Sequence, residues 1–135
     1  EEAMRNSELP ETTTIANAQI ASMVGKTTRE KQPDTYDSVH RMIAQAPVDG
    51  IAGALEAMMK RPDSMADLAR IDVPTLVVVG EEDAVTPVKE ARAMHEMIPG
   101  SSLQVIAGAG HLSSLERPAA FNHLLTEFIS TLTYS

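Results

Sequence analysis

Cysteine, long apolar runs and clusters of basic residues are all missing from this sequence of 135 residues. Without cysteine, disulfide bonds and thiolate-bound zinc are excluded within the chain. The absence also fits a reducing compartment, and we expect a cytoplasmic location. No apolar run approaches the ~20 residues of a membrane-spanning helix, so we expect no membrane partner.

The charge balance is acidic, with 19 Asp and Glu against 11 Lys and Arg and a net charge of -8. Nucleic acids and anionic membrane surfaces attract proteins that present clustered basic side chains. We therefore exclude nucleic acid as a partner. The first residues, Glu1 to Arg5, are not a signal peptide because no apolar core follows them. The chain does not begin with methionine, which favours a piece of a longer protein.

Helical patterns fill the first half of the chain, up to about residue 70. Apolar residues recur at helical spacing in three segments, at about 11–24, 33–46 and 48–60. Gly25 and Pro47 are expected to stop the first two of these helices. Asp63 or Ser64 is expected to cap a last short turn. We interpret the eight methionines mainly as core and cap filler, with an apolar substrate pocket as the alternative for several of them.

The pattern changes after residue 70 to strand, helix, strand, helix. The run VPTLVVV at 73–79 predicts a strand buried on both faces, and SLQVIA at 102–107 predicts a second. Thr86 before Pro87 predicts the N-cap of the intervening helix. A helix with a wide apolar stripe follows Pro118. Two parallel strands joined by a helix predict an α/β fold for this half.

Two reactive side chains follow the carboxyl ends of these two strands. Asp83 comes just after the first, and His111 just after the second. Ligand sites gather at this edge of parallel sheets, so we expect Asp83 and His111 to lie within hydrogen-bonding distance. An acid beside an imidazole fixes its tautomer and stabilises the imidazolium that forms during general base catalysis. Gly108 and Gly110 give the histidine loop a backbone path that other residues resist.

The remaining acids and histidines are interpreted without a chemical role. Glu81 and Glu82 are expected to be mainly solvated, with Glu82 at the mouth of the site as an alternative. Three histidines lie within helical patterns and are expected to serve packing or to lie on the surface: His40, His95 and His123. We expect no metal site because no set of His and carboxylate residues has a convincing ligand spacing.

These segments resemble the α/β-hydrolase superfamily. GEEDAVTP at 80–87 resembles its acid loop, and GAGH at 108–111 followed by ERP at 116–118 resembles its histidine loop. Residues 71–80 resemble the seventh strand and its lead-in. The similarity extends from about Ile71 to Leu132. Earlier segments, VGKTT and GIAGAL, are similar to the cap of esterase and enol-lactonase relatives.

The resemblance implies a helical cap over 1–70 and the C-terminal part of the hydrolase core over 71–135. It also implies that Asp83 and His111 belong to a Ser-His-Asp triad that cleaves a carboxylic ester, lactone or similar acyl bond of a small molecule, without a cofactor. The nucleophile of this family lies in a G-x-S-x-G motif that precedes both residues. This sequence contains no such motif. We therefore expect the C-terminal half of a serine hydrolase that is inactive alone.

Two alternatives stay open. The chain is a non-catalytic fragment or a diverged domain for binding or oligomerisation, or it is a dehalogenase-like relative with an Asp nucleophile. A G-x-S-x-G motif encoded upstream of Glu1 favours the triad, whereas an unrelated sequence there favours the non-catalytic alternative.

The resemblance further implies that the first strand is flanked by a strand from the other half of the hydrolase. Two strands alone leave an unpaired edge and an apolar face formed with Val77, Val79, Leu103 and Val105. We expect the N-terminal half, or a second copy of the chain, to cover them.

Overall fold

The computed structural model describes residues 11–132. The predicted opening of the first helix at Pro10 lies outside this range. The elements follow in the order α1 (Glu11–Met23), α2 (Lys26–Lys31), α3 (Pro33–Ala44), α4 (Val48–Lys60), a 3-10 helix (Met65–Arg70), β1 (Leu76–Gly80), α5 (Val88–Met97), β2 (Ser102–Ile106), α6 (Ser113–Glu116) and α7 (Pro118–Thr131).

The first helices form a small core of their own, in which α1 packs on α3. Its buried residues are Ile20, Val24 and Val39, and Leu112 from the loop after β2 packs against them. The predicted stop at Gly25 is confirmed, but a short helix that the sequence analysis missed, α2, begins directly afterwards. This core therefore joins the helical segment to the loop that carries His111.

The helix α4 has the predicted bounds but contains no buried residue. Exposure is 60% for Met42, 61% for Met58 and 83% for Met59. The prediction that the methionines are mainly core and cap filler is therefore wrong for these three. They lie on helices that leave a shallow apolar groove between α1, α3 and α4, which also includes Ile51 and Leu55.

The short turn after α4 begins as predicted at an aspartate. The Asp63 carboxylate accepts a hydrogen bond from the backbone N–H of Met65, with a distance of 2.9 Å. The side chain of Ser64 makes no capping hydrogen bond. Ser64 therefore occupies the N-cap position, while the side-chain hydrogen bond at this end comes from Asp63.

The strands β1 and β2 form a parallel pair joined by α5. Leu76 pairs with Ser102, and Gly80 pairs with Ile106. Both strands are shorter than predicted. Pairing of the strands begins at Leu76, although the carbonyl of Thr75 still accepts from the N–H of Ser102 at 2.9 Å. The chain turns at Gly100, which has a φ of +69°, two residues before β2. A positive φ of this kind is typical of glycine.

One face of the sheet packs against α5. Val77 and Val79 are buried there with Ala91 and Ile98. The expectation that Val77 and Val79 lie on an uncovered face is therefore wrong, because α5 covers them. The side chain of Val105 stays 39% exposed.

The opposite face and α7 are less well packed than predicted. Leu76 and Val78 are half-buried, so β1 is not buried on both faces. The predicted apolar stripe of α7 is present, but it contains no buried residue, and its most exposed members are Leu125, Ile129 and Leu132. Within residues 11–132, no helix is both long and apolar enough to cross a membrane.

Candidate active site

Asp83 and His111 meet at the carboxyl ends of β1 and β2. The distance from His111 Nδ1 to Asp83 Oδ2 is 3.0 Å. The side chain of Asp83 is 5% exposed and that of His111 is 32% exposed. Adjacent parallel strands deliver both loops to one edge of the sheet, so the predicted proximity of the two side chains is confirmed. A buried carboxylate thus supports an imidazole that solvent still reaches.

The other hydrogen bonds of Asp83 come from its own loop. Its Oδ1 accepts from the backbone N–H groups of Val85 and Thr86, both at 2.9 Å. Its Oδ2 accepts from the Thr86 hydroxyl at 3.0 Å. The prediction of Thr86 as N-cap is therefore wrong: α5 begins one residue later than predicted, at Val88 after Pro87, and the Thr86 hydroxyl binds Asp83 instead.

These bonds determine the charge state of Asp83. Burial acts to raise the pKa of this carboxyl, but hydrogen bonds from the Thr86 amide, His111, the Thr86 hydroxyl and the Val85 amide outweigh it. The pKa of Asp83 is consequently held below its ordinary value, because each bond stabilises the ionised form. Asp83 is therefore an ionised carboxylate at neutral pH and can accept a hydrogen bond from an N–H group of His111.

The ionised acid selects the tautomer of His111. A carboxylate without a proton only accepts hydrogen bonds, so the neutral ring is assigned a proton on Nδ1. The other nitrogen, Nε2, forms no hydrogen bond within the described part of the chain. This nitrogen is therefore free to accept a proton from a nucleophile.

A groove of about 260 Å³ extends from this pair along β1. Its lining includes Asp83, His111 and the strand residues Val77–Gly80. Met94 and Ser113 also line it. β1 pairs on one side with β2, and the structure, as far as it covers the chain, contains no further strand. The groove gives the imidazole an open approach from the side of this strand.

A buried glutamate that the sequence analysis did not single out supports the histidine loop. Glu116 is 1% exposed. Its Oε1 accepts from the N–H groups of Gly110 (2.9 Å) and Leu112 (3.1 Å), and its Oε2 accepts from the N–H of Gly25 (2.8 Å) and the hydroxyl of Thr28 (2.7 Å). The only signal in the sequence was its place in the ERP segment of the resemblance.

The two acids next to Asp83 both accept hydrogen bonds but differ in exposure, since Glu82 is half-buried and Glu81 is exposed. Glu82 accepts from the Thr27 N–H at 2.7 Å and from its hydroxyl at 2.5 Å. The pKa of Glu82 is lowered, mainly by the hydrogen bond from the Thr27 hydroxyl and next by the one from the Thr27 amide. Glu81 accepts from the Gly108 N–H at 3.1 Å. The expectation of a mainly solvated side chain is therefore wrong for the half-buried Glu82, whereas it agrees with the exposed Glu81.

Three glycines allow the backbones of these segments to touch. A Cβ atom on Gly110 would lie 2.3 Å from the backbone nitrogen of Gly25, and one on Gly80 would lie 2.2 Å from the carbonyl oxygen of Gly110. Both distances are far below van der Waals contact. The positive φ that the histidine loop requires is found at Gly108, with φ +64°. Gly110 is therefore required because the backbone of Gly25 lies so close to it, and not because of its own backbone conformation.

The remaining histidines make local contacts away from this edge. His40 binds Asn17, His95 binds Ser101, and His123 contacts Glu127 one helical turn later. These contacts agree with packing or surface roles. Within residues 11–132, no group of three histidine or acidic side chains is arranged to hold a metal ion.

Comparison with known proteins gives a consistent result. A family model described as TAP-like protein matches residues 56–134. The chain is 36% identical to 3-oxoadipate enol-lactonase 2 of Acinetobacter baylyi over 94 residues, which is 70% of this chain and 34% of the relative. It is 32% identical over 100 residues to a pimeloyl-[acyl-carrier protein] methyl ester esterase of Neisseria meningitidis, covering 72% of this chain and 32% of the relative.

Solved structures match over more of the chain. A thermophilic esterase from Thermogutta terrifontis matches with a TM-score of 0.87 and 34% identity, covering 91% of this chain and 45% of the esterase. The enol-lactonase from Burkholderia xenovorans matches with a TM-score of 0.80, and at 23% identity this is a likeness of fold alone; it covers 88% of this chain and 45% of that protein. The chain thus spans less than half the length of these relatives.

Proposed function

Because this chain belongs to the α/β-hydrolase superfamily, we propose that Asp83 and His111 are the acid and the base of a Ser-His-Asp triad. The family model covers residues 56–134, more than half of the chain. The described residues form part of an α/β-hydrolase fold, with two parallel strands and their flanking helices. We propose that residues 1–70 are its helical cap and that residues 71–135 belong to the core.

The hydrogen bond between Asp83 Oδ2 and His111 Nδ1, at 3.0 Å, carries the proposal. His111 Nε2 takes the proton of a nucleophilic hydroxyl as that oxygen attacks the acyl carbon of the substrate. Asp83 stabilises the imidazolium that forms, and the ring then returns the proton to the leaving group. Water repeats the sequence on the acyl-enzyme and releases the acid.

The proposed substrate is a small-molecule carboxylic ester or lactone. The support is the names of the relatives, which include an enol-lactonase and a methyl ester esterase. The proposed chemistry requires only side chains and backbone donors, so the proposal includes no cofactor.

The nucleophile is proposed to lie on a further segment of the protein. The chain has no G-x-S-x-G motif, which is the strained turn that presents the nucleophile in this superfamily. His111 and residues Val77–Gly80 line the same groove, and an additional strand beside β1 would deliver a side chain to it. We call the assembly of this chain with that segment the complete hydrolase.

We expect the 135-residue chain alone to hydrolyse p-nitrophenyl esters no faster than buffer. Among residues 11–132, His111 Nε2 binds no hydroxyl group that it could activate, and the proposal assigns no oxyanion donor to these residues. Absorbance of released p-nitrophenol measures the rate, with the complete hydrolase as the positive control. Turnover by the isolated chain that disappears in His111→Ala would show that a serine of this chain has replaced the proposed nucleophile.

We also propose that the edge of β1 is covered in solution, either by the segment that carries the nucleophile or by a second copy of the chain. Within residues 11–132 the sheet has only two strands, and such a sheet is marginally stable by itself. An unpaired edge also exposes backbone N–H and C=O groups that favour pairing with another strand.

The isolated chain is accordingly expected to elute as a dimer or larger species. Its monomer mass is 14.5 kDa, and size-exclusion chromatography with light scattering measures the mass in solution directly. Adding the segment that carries the nucleophile should convert this species to a one-to-one complex. A 14.5 kDa monomer that unfolds cooperatively would contradict the expectation.

A further inference from the structure

The buried carboxylate of Glu116 lies at the junction of three parts of the chain. Glu116 is the last residue of α6, and only Arg117 separates it from the start of α7 at Pro118. One of its oxygens binds the histidine loop, and the other binds the start of α2. Within residues 11–132, every buried side-chain nitrogen or oxygen has a hydrogen-bond partner. The two oxygens of this carboxylate share four donors, two each.

The two amides bound by Oε1 belong to the residues on either side of His111. Gly110 donates at 2.9 Å and Leu112 at 3.1 Å. Holding both neighbouring amides on one oxygen fixes the direction in which the backbone presents the imidazole. The ring itself contacts Asp83 and Thr86 but not Glu116. Glu116 therefore acts on the ring through the backbone alone.

The two donors bound by Oε2 come from the helical segment at the beginning of the chain. Gly25 donates its N–H at 2.8 Å and Thr28 its hydroxyl at 2.7 Å. Thr28 is fully buried. Leu112, beside His111, packs into the core formed by α1 and α3. The histidine loop thus depends on the α1–α2 junction for its position.

We infer that Glu116 is a positioning residue that holds His111 in line with Asp83 by binding the amides on both sides of it. The catalytic meaning of this inference depends on the function proposed above, whereas the positioning itself is testable on the isolated chain. The inference makes the α1–α2 junction a part of the site, although Gly25 and Thr28 lie 91 and 88 positions from Glu116 in sequence.

Three substitutions separate positioning from stability. Glu116→Ala removes both oxygens and leaves all four donors without a partner. Glu116→Gln retains one carbonyl oxygen. The Thr28 hydroxyl can turn to accept from the new amide, whereas Gly110 and Leu112 can only donate. The oxygen is therefore expected to stay with the histidine loop. Thr28→Val removes a single donor on the other side and is the matched control.

The test is the tautomer of the neutral His111 ring, read from its two imidazole ¹⁵N chemical shifts at a pH where the ring is uncharged. In the wild-type chain we expect the Nδ1–H form, directed at Asp83. Glu116→Ala is expected to shift the ring to mainly the Nε2–H form, as in a free histidine. Glu116→Gln and Thr28→Val are expected to retain Nδ1–H while lowering the melting temperature.

The outcomes are distinguishable. A wild-type ring without the Nδ1–H form would overturn both this inference and the proposed function. A Glu116→Ala ring that keeps Nδ1–H, in a chain with a native amide spectrum, would overturn the inference alone. If that variant does not fold, amide hydrogen exchange in the wild type decides: slow exchange at both Gly110 and Leu112 supports the inference, and fast exchange at either overturns it.

In the complete hydrolase, Glu116→Ala is expected to lower kcat by about 100-fold with KM nearly unchanged, because a small displacement of a catalytic group costs about this factor. Glu116→Gln is expected to stay within about threefold of the wild type, since a mere loss of stability leaves the kcat of the folded enzyme unchanged. Equal kcat values for the wild type and Glu116→Ala would overturn the inference.

Discussion

Replacing Asp83 by asparagine is expected to lower the kcat of the complete hydrolase by about 10,000-fold, the size of effect known for the acid of a Ser-His-Asp triad. The hydrogen bonds of Asp83 explain why the fold should survive. Oδ1 accepts from the amides of Val85 and Thr86, and the carbonyl oxygen of the new amide can keep these two bonds.

The amide nitrogen then takes the position of Oδ2, 3.0 Å from His111 Nδ1. This nitrogen donates rather than accepts, so Nδ1 has to accept and the ring has to carry its proton on Nε2. A ring in that state cannot take a proton from the nucleophile. The expected loss of activity thus comes from the wrong tautomer of His111 and not from a change in the fold.

The matched control is Asp72→Asn, at an exposed aspartate outside the site, which should leave kcat unchanged. Steady-state rates with a p-nitrophenyl ester and a melting curve for each variant give both quantities. A kcat within tenfold of the wild type for Asp83→Asn, at an unchanged melting temperature, would contradict the assigned role of Asp83.

The second large effect concerns Gly110. Substitution by alanine is expected to destabilise the chain by about 3 kcal/mol, the upper end of the range for overpacking, and to lower its melting temperature by roughly 10 °C. A Cβ there would lie 2.3 Å from the backbone nitrogen of Gly25 and 2.7 Å from the carbonyl carbon of Val24. Backbone atoms cannot turn aside as a flexible side chain can.

The control is Gly53→Ala. Gly53 lies within α4, and a Cβ on it would meet no atom within 4 Å. Alanine in a helix is more stable than glycine by about 0.5–1 kcal/mol, so this variant should melt at a slightly higher temperature. Thermal unfolding followed by circular dichroism compares the two. Equal melting temperatures for Gly110→Ala and the wild type would show that the close backbone contact is absent.

The pairing of Asp83 with His111 was predictable from the sequence because it depends on local patterns. Two apolar runs defined the strands, and parallel strands present their carboxyl ends at one edge. The residue positions after those ends then followed directly. The strand lengths were overestimated, because apolar character continues to Val73 although the partner strand begins only opposite Leu76.

The supporting contacts were not predictable from local patterns. Glu116 binds Gly25 and Thr28, which are separated from it by 91 and 88 positions. No periodicity or spacing in a single sequence indicates such a contact. Gly25 also had a sufficient local explanation as a helix stop, which concealed its contact with Gly110.

The exposure of α4 was missed for a different reason. An apolar stripe predicts which face a helix buries, but not whether the partner surface is present. Met58 and Met59 lie exposed on such a helix. This observation agrees with our proposal that a further segment completes the protein.

The central claim is that Asp83 and His111 activate a nucleophile carried by a segment beside β1. Labelling of the complete hydrolase with a fluorophosphonate, followed by mass spectrometry of its peptides, tests this most directly, since such probes react with an activated serine. We predict one labelled serine, located outside the 135 residues of this chain, and loss of labelling in His111→Ala. Labelling of a serine within this chain, or labelling that persists in His111→Ala, would contradict the account.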